Sequence, residues 1–345
     1  MTLLSENQEE KVHFYNSTLS DQDCFLIAEK LKPNTSCVLL SLGNSSVSDE
    51  GLKNICDAIK TNNSLITIGL GNNKISDRGL LYLGEALRSH KSLVTIGLGN
   101  NSIGDQGIKF LCEGLKENQV FQDLLLYNNK LTSKSCEYLS DLLKYDSVQK
   151  GYFGNKLIKK LYLGSNKLKS EGISLLAQAL KVNETLENLG LSHCEIENEG
   201  IVKFAESLGS NTNSGLKYLA LGNNLISSVS VKVLFNALAE CKGIQEVSLE
   251  WNNLDDECVE DVVEFLKKTN GNNFKKLFLN NNKFSDAAAM QIAEFIVKCS
   301  NSEEEKCDLN KLEFVVLSNN NVSEKVKSEI SKLLFESKCS KLKIK

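Results

Sequence analysis

Short apolar runs that alternate with polar residues recur along the chain at a nearly constant spacing. Residues 65–75 read LITIGLGNNKI and residues 93–103 read LVTIGLGNNSI, almost the same phrase 28 positions later. Further copies in the same register begin at Cys37 and Phe121. Self-similarity at a fixed period of this length is typical of a solenoid, in which each repeat packs on its neighbours.

Each copy follows the pattern L-x-x-L-x-L-x-x-N-x-L, which predicts a short strand and then a turn. Ile68 and Leu70 alternate with small or polar residues, so one face of the strand builds the core. Asn73 follows at the turn, where its amide offers donors and an acceptor to unpaired backbone groups. The repeats therefore predict a structural asparagine ladder made of Asn73, Asn101, Asn129, Asn166, Asn224, Asn252, Asn282 and Asn320.

A helical phrase lies between successive strands. In residues 75–87, ISDRGLLYLGEAL, Leu80, Leu83 and Leu87 follow helical spacing, and Ser76 stands where an N-cap belongs. One strand and one helix per repeat predict an α/β horseshoe solenoid, with parallel strands on the concave face and α-helices on the convex face.

The repeats predict one solenoid over residues 1–345. Its expected parts are a degenerate N-terminal capping repeat (1–36), ten repeats (37–338) and a terminal strand (339–345). Breaks in the period indicate insertions near 145–157 and 300–310. Tyr152 and Phe153 in the first insertion form either a packed local plug or an exposed contact.

These strand and GL-x-x-L-x-x-AL helix phrases resemble the ribonuclease-inhibitor-like subfamily of leucine-rich-repeat proteins, from about Val12 to Ile344. The resemblance implies a horseshoe that binds another protein through side chains on its concave face. The same family includes the sensing regions of NOD-like receptors, the Ran GTPase-activating protein and effectors secreted by intracellular bacteria.

The outward strand positions change character along the chain. Early repeats present small residues, and the glycine triplets at 69–71 and 97–99 are either a floor for a partner's backbone or a remnant of duplication. Later repeats present aromatic and acidic residues, which are frequent at protein interfaces when exposed. The predicted partner-binding residues are Tyr127, Tyr162, Tyr218, Glu246, Glu250, Trp251, Phe278 and Phe314.

Composition and charge exclude several other classes. A net charge of -4 argues against a dedicated nucleic-acid binder. We expect no signal peptide, because the N-terminus has no basic region followed by an apolar run. We also expect no membrane span, because no apolar stretch reaches 18 residues. The eleven cysteines are expected to be buried and free in a reducing compartment. His13, His90 and His193 belong to different repeats, so we predict no catalytic residues, no metal site and no cofactor.

The sequence thus favours a non-enzymatic interaction module. We expect a monomer in the cytoplasm whose partner is a folded protein: a host protein, an effector or an enzyme that it inhibits. A bacterial effector delivered into host cytosol would bind its partner through the same face. The alternative is a GTPase activator resembling the Ran-specific one, for which Arg78 is the candidate loop arginine.

Overall fold

The computed structural model describes residues 9–144, 157–210, 215–269, 272–300, 309 and 311–344. Internal contacts divide the chain into two compact units, Met1–Leu168 and Lys169–Lys345, and each is described by itself. Tyr152, Phe153 and nearly all of the predicted insertions at 145–157 and 300–310 lie outside the described residues. A single domain over 1–345 stays a prediction.

The strands of the first unit are parallel and follow one another in chain order. Their central apolar residues are in register, Val12 beside Leu40 and Leu40 beside Ile68, so the core repeats from strand to strand. The strands are β1 (Lys11–His13), β2 (Leu39–Ser41), β3 (Thr67–Gly69), β4 (Thr95–Gly97), β5 (Asp123–Leu125) and β6 (Lys160–Tyr162).

A helix follows each of the first five strands. Ser20, Ser48, Ser76 and Thr132 each accept a hydrogen bond from a backbone N–H in the first turn of the next helix, which fixes where these helices begin. The helices are α1 (Asp21–Leu31), α2 (Asp49–Ile59), α3 (Asp77–Leu87), α4 (Asp105–Leu115) and α5 (Ser133–Leu143).

The second unit repeats this arrangement. Its parallel strands are β7 (Asn188–Gly190), β8 (Tyr218–Ala220), β9 (Glu246–Ser248), β10 (Lys276–Phe278), β11 (Phe314–Val316) and β12 (Leu342–Lys343). Its helices are α6 (Lys169–Leu180), α7 (Asn198–Gly209), α8 (Ser228–Glu240), α9 (Val259–Lys268), α10 (Asp286–Ser300) and α11 (Glu324–Glu336). A 3₁₀ turn, Asp256–Cys258, leads into α9.

The core lies between the strands and the helices of each unit. Ile68 and Leu70 from β3 and its turn are fully buried, as are Leu80, Leu83 and Leu87 from the inner side of α3. Burial of such side chains stabilises the fold by about 1.5–3 kcal/mol each. Both units are therefore built as α/β leucine-rich-repeat solenoids, and the predicted fold class is confirmed.

A second polar ladder lies where each helix returns to the next strand. Asn62 accepts from the backbone N–H groups of Ser64 and Leu65 and donates to the carbonyls of Leu31 and Asn34. Asn34, Asn118 and Asn183 occupy the same position in other repeats, and His90 replaces the asparagine in one. This ladder was not predicted, although asparagine recurs at 34, 62 and 118 in the register of the repeats.

A third ladder joins neighbouring helix starts. The first residue of one helix accepts hydrogen bonds from the capping residue of the next, as Asp49 does from the N–H (2.8 Å) and the hydroxyl (2.5 Å) of Ser76. Asp105 does the same for Thr132. The helices are thus tied together at one end by polar contacts as well as by their apolar faces.

The described cysteines depart from the prediction at one position. Nine are free and buried, and burial raises the thiol pKa of Cys24 to about 11 and of Cys112 to about 12, which makes these two thiols unreactive at neutral pH. Cys299 instead forms a disulfide. The expectation that every cysteine is free is therefore wrong.

Candidate partner-binding surface

The side chains on either side of each buried strand centre face away from the core. The eight residues predicted to bind a partner all stand at or just beyond such positions. Tyr127 and Tyr162 belong to the first unit, and Tyr218, Glu246, Glu250, Trp251, Phe278 and Phe314 belong to the second.

In the first unit, the aromatic residues follow β5 and end β6. Tyr127 is 41% exposed. Its ring covers Gly99, where an added Cβ would stand 2.3 Å from Cζ of Tyr127. Tyr162 is half-buried in register with Leu125, and Lys160 pairs with Asp123 at 3.0 Å beside it. This patch is thus a mixed surface of one exposed ring, one half-buried ring and a paired charge.

The glycine triplets do not form a uniform open floor. Gly69 and Gly97 have no side-chain atom within 3.6 Å of an added Cβ, but Gly99 is filled by the ring of Tyr127. Gly99 is therefore explained by the neighbouring repeat and needs no partner. Tyr15 stands at the same repeat position as Tyr127, and its ring lies beside Gly43 in the following repeat. This ring is 57% exposed and was not among the predicted partner-binding residues.

In the second unit, the outward residues of successive strands form rows. One row runs Asn188, Tyr218, Glu246, Lys276 and Phe314, and the next runs Gly190, Ala220, Ser248 and Phe278. The second row thus consists of three small residues followed by the large ring of Phe278.

Phe278 and Phe314 close one side of this face. Their rings meet edge to face with centroids 5.6 Å apart. The ammonium groups of Lys276 and Lys343 lie 5.6 and 3.8 Å from the centroid of Phe314. Both rings are half-buried, so they are positioned by contacts within the unit.

Trp251 differs from the other aromatic residues because it is 60% exposed and its backbone is left-handed, with φ of 56°. The same position is asparagine in most other repeats, for example Asn72, Asn100 and Asn281. Asparagine tolerates this conformation better than a bulky residue does. The Trp251 side chain makes no hydrogen bond or ring contact with a described residue, and more than half of it is exposed.

Glu250 precedes Trp251 and is half-buried over Gly222, where an added Cβ would stand 2.5 Å from Oε1 of Glu250. Ser248 Oγ donates to its carboxylate. Burial raises the pKa of Glu250, and the nearby charge of Glu246 acts in the same direction. Among the described residues no cation pairs with Glu250, whereas Glu246 lies 3.5 Å from Lys276 Nζ.

The asparagines of the predicted ladder hold the turns on which this surface stands. Asn73 donates to the carbonyls of Leu42 and Leu70 and accepts from the N–H groups of Ser45 and Val47. Asn101, Asn129, Asn166, Asn224, Asn252, Asn282 and Asn320 make corresponding bonds to the preceding repeat. The position of each outward side chain is therefore fixed by a neighbouring repeat.

Arg78 does not lie on a loop. It stands in the first turn of α3, because Ser76 caps that helix and starts it at Asp77. Its Nε donates to Tyr82 Oη at 3.0 Å, and Nη2 lies 3.5 Å from Glu50. The expectation that Arg78 lies on a loop is therefore wrong.

In the described part of the chain, no group of three His, Cys, Asp or Glu side chains lies close enough together to share a metal ion. None of the helices in these ranges combines the length and apolar character that crossing a bilayer requires.

The comparisons with known proteins point to the same repeats. A family model described as Leucine Rich repeat matches residues 154–177 and 182–205. The mouse (Mus musculus) protein NACHT, LRR and PYD domains-containing protein 9C is 36% identical over 161 residues, which are 46% of this chain and 15% of that protein. The human (Homo sapiens) NACHT, LRR and PYD domains-containing protein 13 is 31% identical over 116 residues, 33% of this chain and 11% of that protein.

The chain thus spans only a small part of the length of these relatives. Among solved structures, leiomodin-1 actin-binding site 2 matches with a TM-score of 0.35 and 18% identity, over 57% of this chain and 92% of that one. This similarity is too low to support an inference about fold or function. The chain is a leucine-rich-repeat protein.

Proposed function

We propose that this protein is a non-enzymatic interaction module that binds a folded partner protein through the outward strand face of its second unit. The observation that carries the proposal is the exposed ring of Trp251 in a left-handed backbone, on a face that also bears Tyr218 and Phe278. A large aromatic ring at the edge of a rigid sheet is typical of an interface residue with high binding energy. Tyr127 and Tyr162 in the first unit are a second proposed contact.

We also propose a finer identity for the chain. A strand and an eleven-residue helix in each of the first five repeats suit the ribonuclease-inhibitor-like subfamily. Nine free thiols suit a reducing compartment such as the cytosol, whereas the disulfide at Cys299 does not. A monomeric inhibitor or a delivered effector acting through the same face remains our proposal for its biology. The alternative, a GTPase activator, lacks its candidate loop arginine, because Arg78 lies in the first turn of α3 and donates to Tyr82.

An affinity pull-down from eukaryotic cytosol tests the main proposal. The full chain is compared with the Tyr218/Trp251/Phe278→Ala triple variant and with Phe335→Ala. Phe335 is 84% exposed on α11, so its variant removes an exposed ring away from the strand face. We expect a protein that is retained by the wild type and by Phe335→Ala and is lost from the triple variant.

The thermal midpoint of each variant separates binding from folding. A triple variant that keeps its midpoint but retains the same proteins would contradict the proposed face. A triple variant that no longer folds would show that the three rings are structural, and Trp251→Ala alone then repeats the test.

A further inference from the structure

Apolar side chains are exposed where the chain turns into α8 of the second unit. Leu225 lies in the turn before the capping residue Ser227, and Val229 and Val233 lie on the first two turns of the helix. Their exposed fractions are 50%, 74% and 38%. Val229 and Val233 are four residues apart, so they share one face of the helix. We name these three residues, Leu225, Val229 and Val233, the α8 patch.

Polar residues stand in other repeats where the α8 patch is apolar. Leu225 directly follows Asn224 of the asparagine ladder. The residue after every other asparagine of that ladder is polar: Lys74, Ser102, Lys130, Lys167, Asn253, Lys283 and Asn321. Val229 is the second residue of its helix, where α1 and α4 carry Gln22 and Gln106. The apolar character therefore belongs to this repeat and is not required by the shared fold.

Hydrogen bonds hold the start of α8 between its two neighbours. The N–H of Ser227 donates to Oδ1 of Asn198, the first residue of α7, at 2.9 Å. The hydroxyl of Ser228 donates to Oδ1 of Asp255, which caps the 3₁₀ turn before α9, at 2.6 Å. The α8 patch is therefore presented by a fixed helix start, and a partner loses little free energy in ordering it.

Carboxylates lie on both sides of the α8 patch. The positions that correspond to Val229 in the two neighbours carry Glu199 in α7 and Glu257 in the 3₁₀ turn, and both are exposed. On the side of Leu225 there is a depression of about 430 Å³, which is lined by Lys169, Ser170, Glu171, Glu195, Glu197 and Leu225. The depression gives a partner side chain room beside Leu225, and its mainly acidic lining disfavours an acidic one.

The charge around the α8 patch is mainly negative. Glu199 is compensated by Lys203 at 2.6 Å, and Lys232 lies on α8 itself. Within the described part of the chain, no ion pair forms with three exposed carboxylates, Glu195, Glu197 and Glu257. An apolar centre with a polar rim is typical of a protein interface. The acidic rim favours a partner whose apolar residues are flanked by positive charges.

The backbone of α8 limits what can occupy the patch. Its N–H and carbonyl groups are bonded within the helix, so an extended peptide cannot add to it as a strand. Val229 and Val233 stand about 6 Å apart along the helix axis. Such a ridge packs between the side chains of a second helix, where apolar residues recur at i, i+3 and i+4. The fitting partner segment is therefore an amphipathic helix.

We propose that the α8 patch docks an amphipathic helix of a partner protein, whose apolar stripe is flanked by lysine or arginine side chains. The stripe covers Leu225, Val229 and Val233, and the basic side chains meet Glu197 and Glu257 at the two flanks. This surface is separate from the proposed strand face, because the core lies between the strands and α8. It gives the second unit a further interaction site.

Fluorescence anisotropy of a labelled model peptide tests the proposal. The peptide has about 18 residues, enough to form a helix, with leucine at i, i+3, i+4 and i+7 and lysine at the flanking positions. A second peptide has glutamate in place of lysine, and a third has the same lysine and leucine content without helical periodicity. We expect saturable binding of the first peptide to the full chain and at least fivefold weaker binding of the other two. No saturable binding, or equal affinity for either other peptide, would overturn the proposal.

Two variants test whether the α8 patch is responsible. Leu225→Asn/Val229→Gln introduces residue types found in other repeats and should weaken binding about tenfold, because apolar contacts are lost. Glu197→Gln/Glu257→Gln should weaken it about threefold at low salt, and the Glu197 side chain caps no backbone group. Val182→Gln changes a 47% exposed side chain of the same unit and is the control. Wild-type affinity of either double variant would overturn the proposal.

Two further measurements exclude other surfaces and occupants. We expect the Tyr218/Trp251/Phe278→Ala variant to bind the peptide as the wild type does. A loss would place the peptide on the strand face and overturn this inference, whereas the proposed function is judged by the pull-down. Sedimentation velocity should show the same monomer for the wild type and for Leu225→Asn/Val229→Gln. A dimer that only the wild type forms would show that a second copy covers the patch, which would overturn the inference. Thermal midpoints show whether each variant is folded, and the carboxylate variant decides if the apolar one is not.

Discussion

At the scale of single residues, Trp251 combines a left-handed backbone, which costs stability, with a largely exposed ring. A left-handed backbone costs a non-glycine residue roughly 1–2 kcal/mol, and asparagine tolerates it better. Most repeats place asparagine there, as at Asn128, Asn223 and Asn319. An exposed indole supplies little packing in return.

We therefore expect Trp251→Asn to raise the free energy of unfolding by about 1 kcal/mol and to abolish partner binding. Urea denaturation and the pull-down measure the two effects. Trp251→Ala is the matched control, because alanine keeps a Cβ and the backbone strain. A destabilised Trp251→Asn variant would show that the ring is packed in solution.

His90 replaces an asparagine in the second ladder and makes the stability of the first unit depend on pH. Its Nδ1 accepts from the N–H groups of Ser92 (3.2 Å) and Leu93 (2.9 Å), so the folded state requires Nδ1 to be unprotonated. Burial lowers the pKa of His90 from its ordinary value of 6.5. The unfolded chain thus binds a proton that the folded chain does not.

We expect the free energy of unfolding to be highest above pH 6.5 and to fall as pH drops below that value, by at most about 1.4 kcal/mol per pH unit. His90→Asn restores the residue of the other repeats and should remove this dependence between pH 7.5 and 5.5. Denaturation at several pH values measures it. A slope that is unchanged in His90→Asn would assign the effect to another group.

Glu250 should make the second unit less stable when it is ionised. Its pKa is raised above the ordinary 4.5, because burial disfavours the charged form. The folded state then gains stability below pH 4.5 and loses it as pH rises through the raised pKa. We expect Glu250→Gln to have a higher thermal midpoint than wild type at pH 7 and no advantage at pH 4. A lower midpoint at pH 7 would show that the carboxylate is compensated within the fold.

At the scale of elements, the hydrophobic pattern predicted the strands and helices well because it is the pattern that builds the core. Ile68, Leu70 and Leu83 are all fully buried, as the repeat requires. Two of the three hydrogen-bond ladders escaped notice although their signals recur at 28 residues, Asn34, Asn62 and Asn118 in one and Asp49 and Asp105 in the other.

The candidate surface was less predictable, since it depends on contacts between neighbouring repeats. The sequence shows that Gly99 and Tyr127 face outward but does not show that the ring covers the glycine. It places Trp251 at a turn but does not reveal the left-handed backbone. The lack of a cation at Glu250 likewise appears only when the side chains around it have been placed.

The ladder that joins helix starts can be tested at Asp105. Burial opposes ionisation of this carboxyl, but hydrogen bonds from Ser135 and Thr132 outweigh it and lower its pKa. We expect Asp105→Ala to lower the free energy of unfolding by about 1–3 kcal/mol, because the buried hydroxyl of Ser135 loses its acceptor. Gln106→Ala, one residue further in α4, is the control in urea denaturation. Equal effects of both variants would mean that the ladder contributes little.

At the scale of the whole molecule, a repeat protein is stabilised by each repeat and by its contacts with its neighbours. The asparagine ladder is one of these contacts, since Asn73 joins its own strand to the carbonyl of Leu42 in the preceding repeat. A local defect should therefore loosen adjacent repeats before distant ones.

Hydrogen exchange of Asn73→Ala measures this locality. We expect faster amide exchange in β2, β3 and the helices that pack beside them, and no change in β11 and α11. Wild-type chain under the same conditions is the reference. A uniform increase over all repeats would show that the array opens as one cooperative unit.

The left-handed turn at Trp251 also bears on how the chain can evolve. Most mutations destabilise a protein, and selection removes only those that bring the fold below the stability that its function needs. A residue whose backbone strain costs about 1 kcal/mol uses part of that margin. With tryptophan instead of asparagine at position 251, the second unit should therefore tolerate fewer further mutations, and a return to asparagine should widen the range of changes that it accepts.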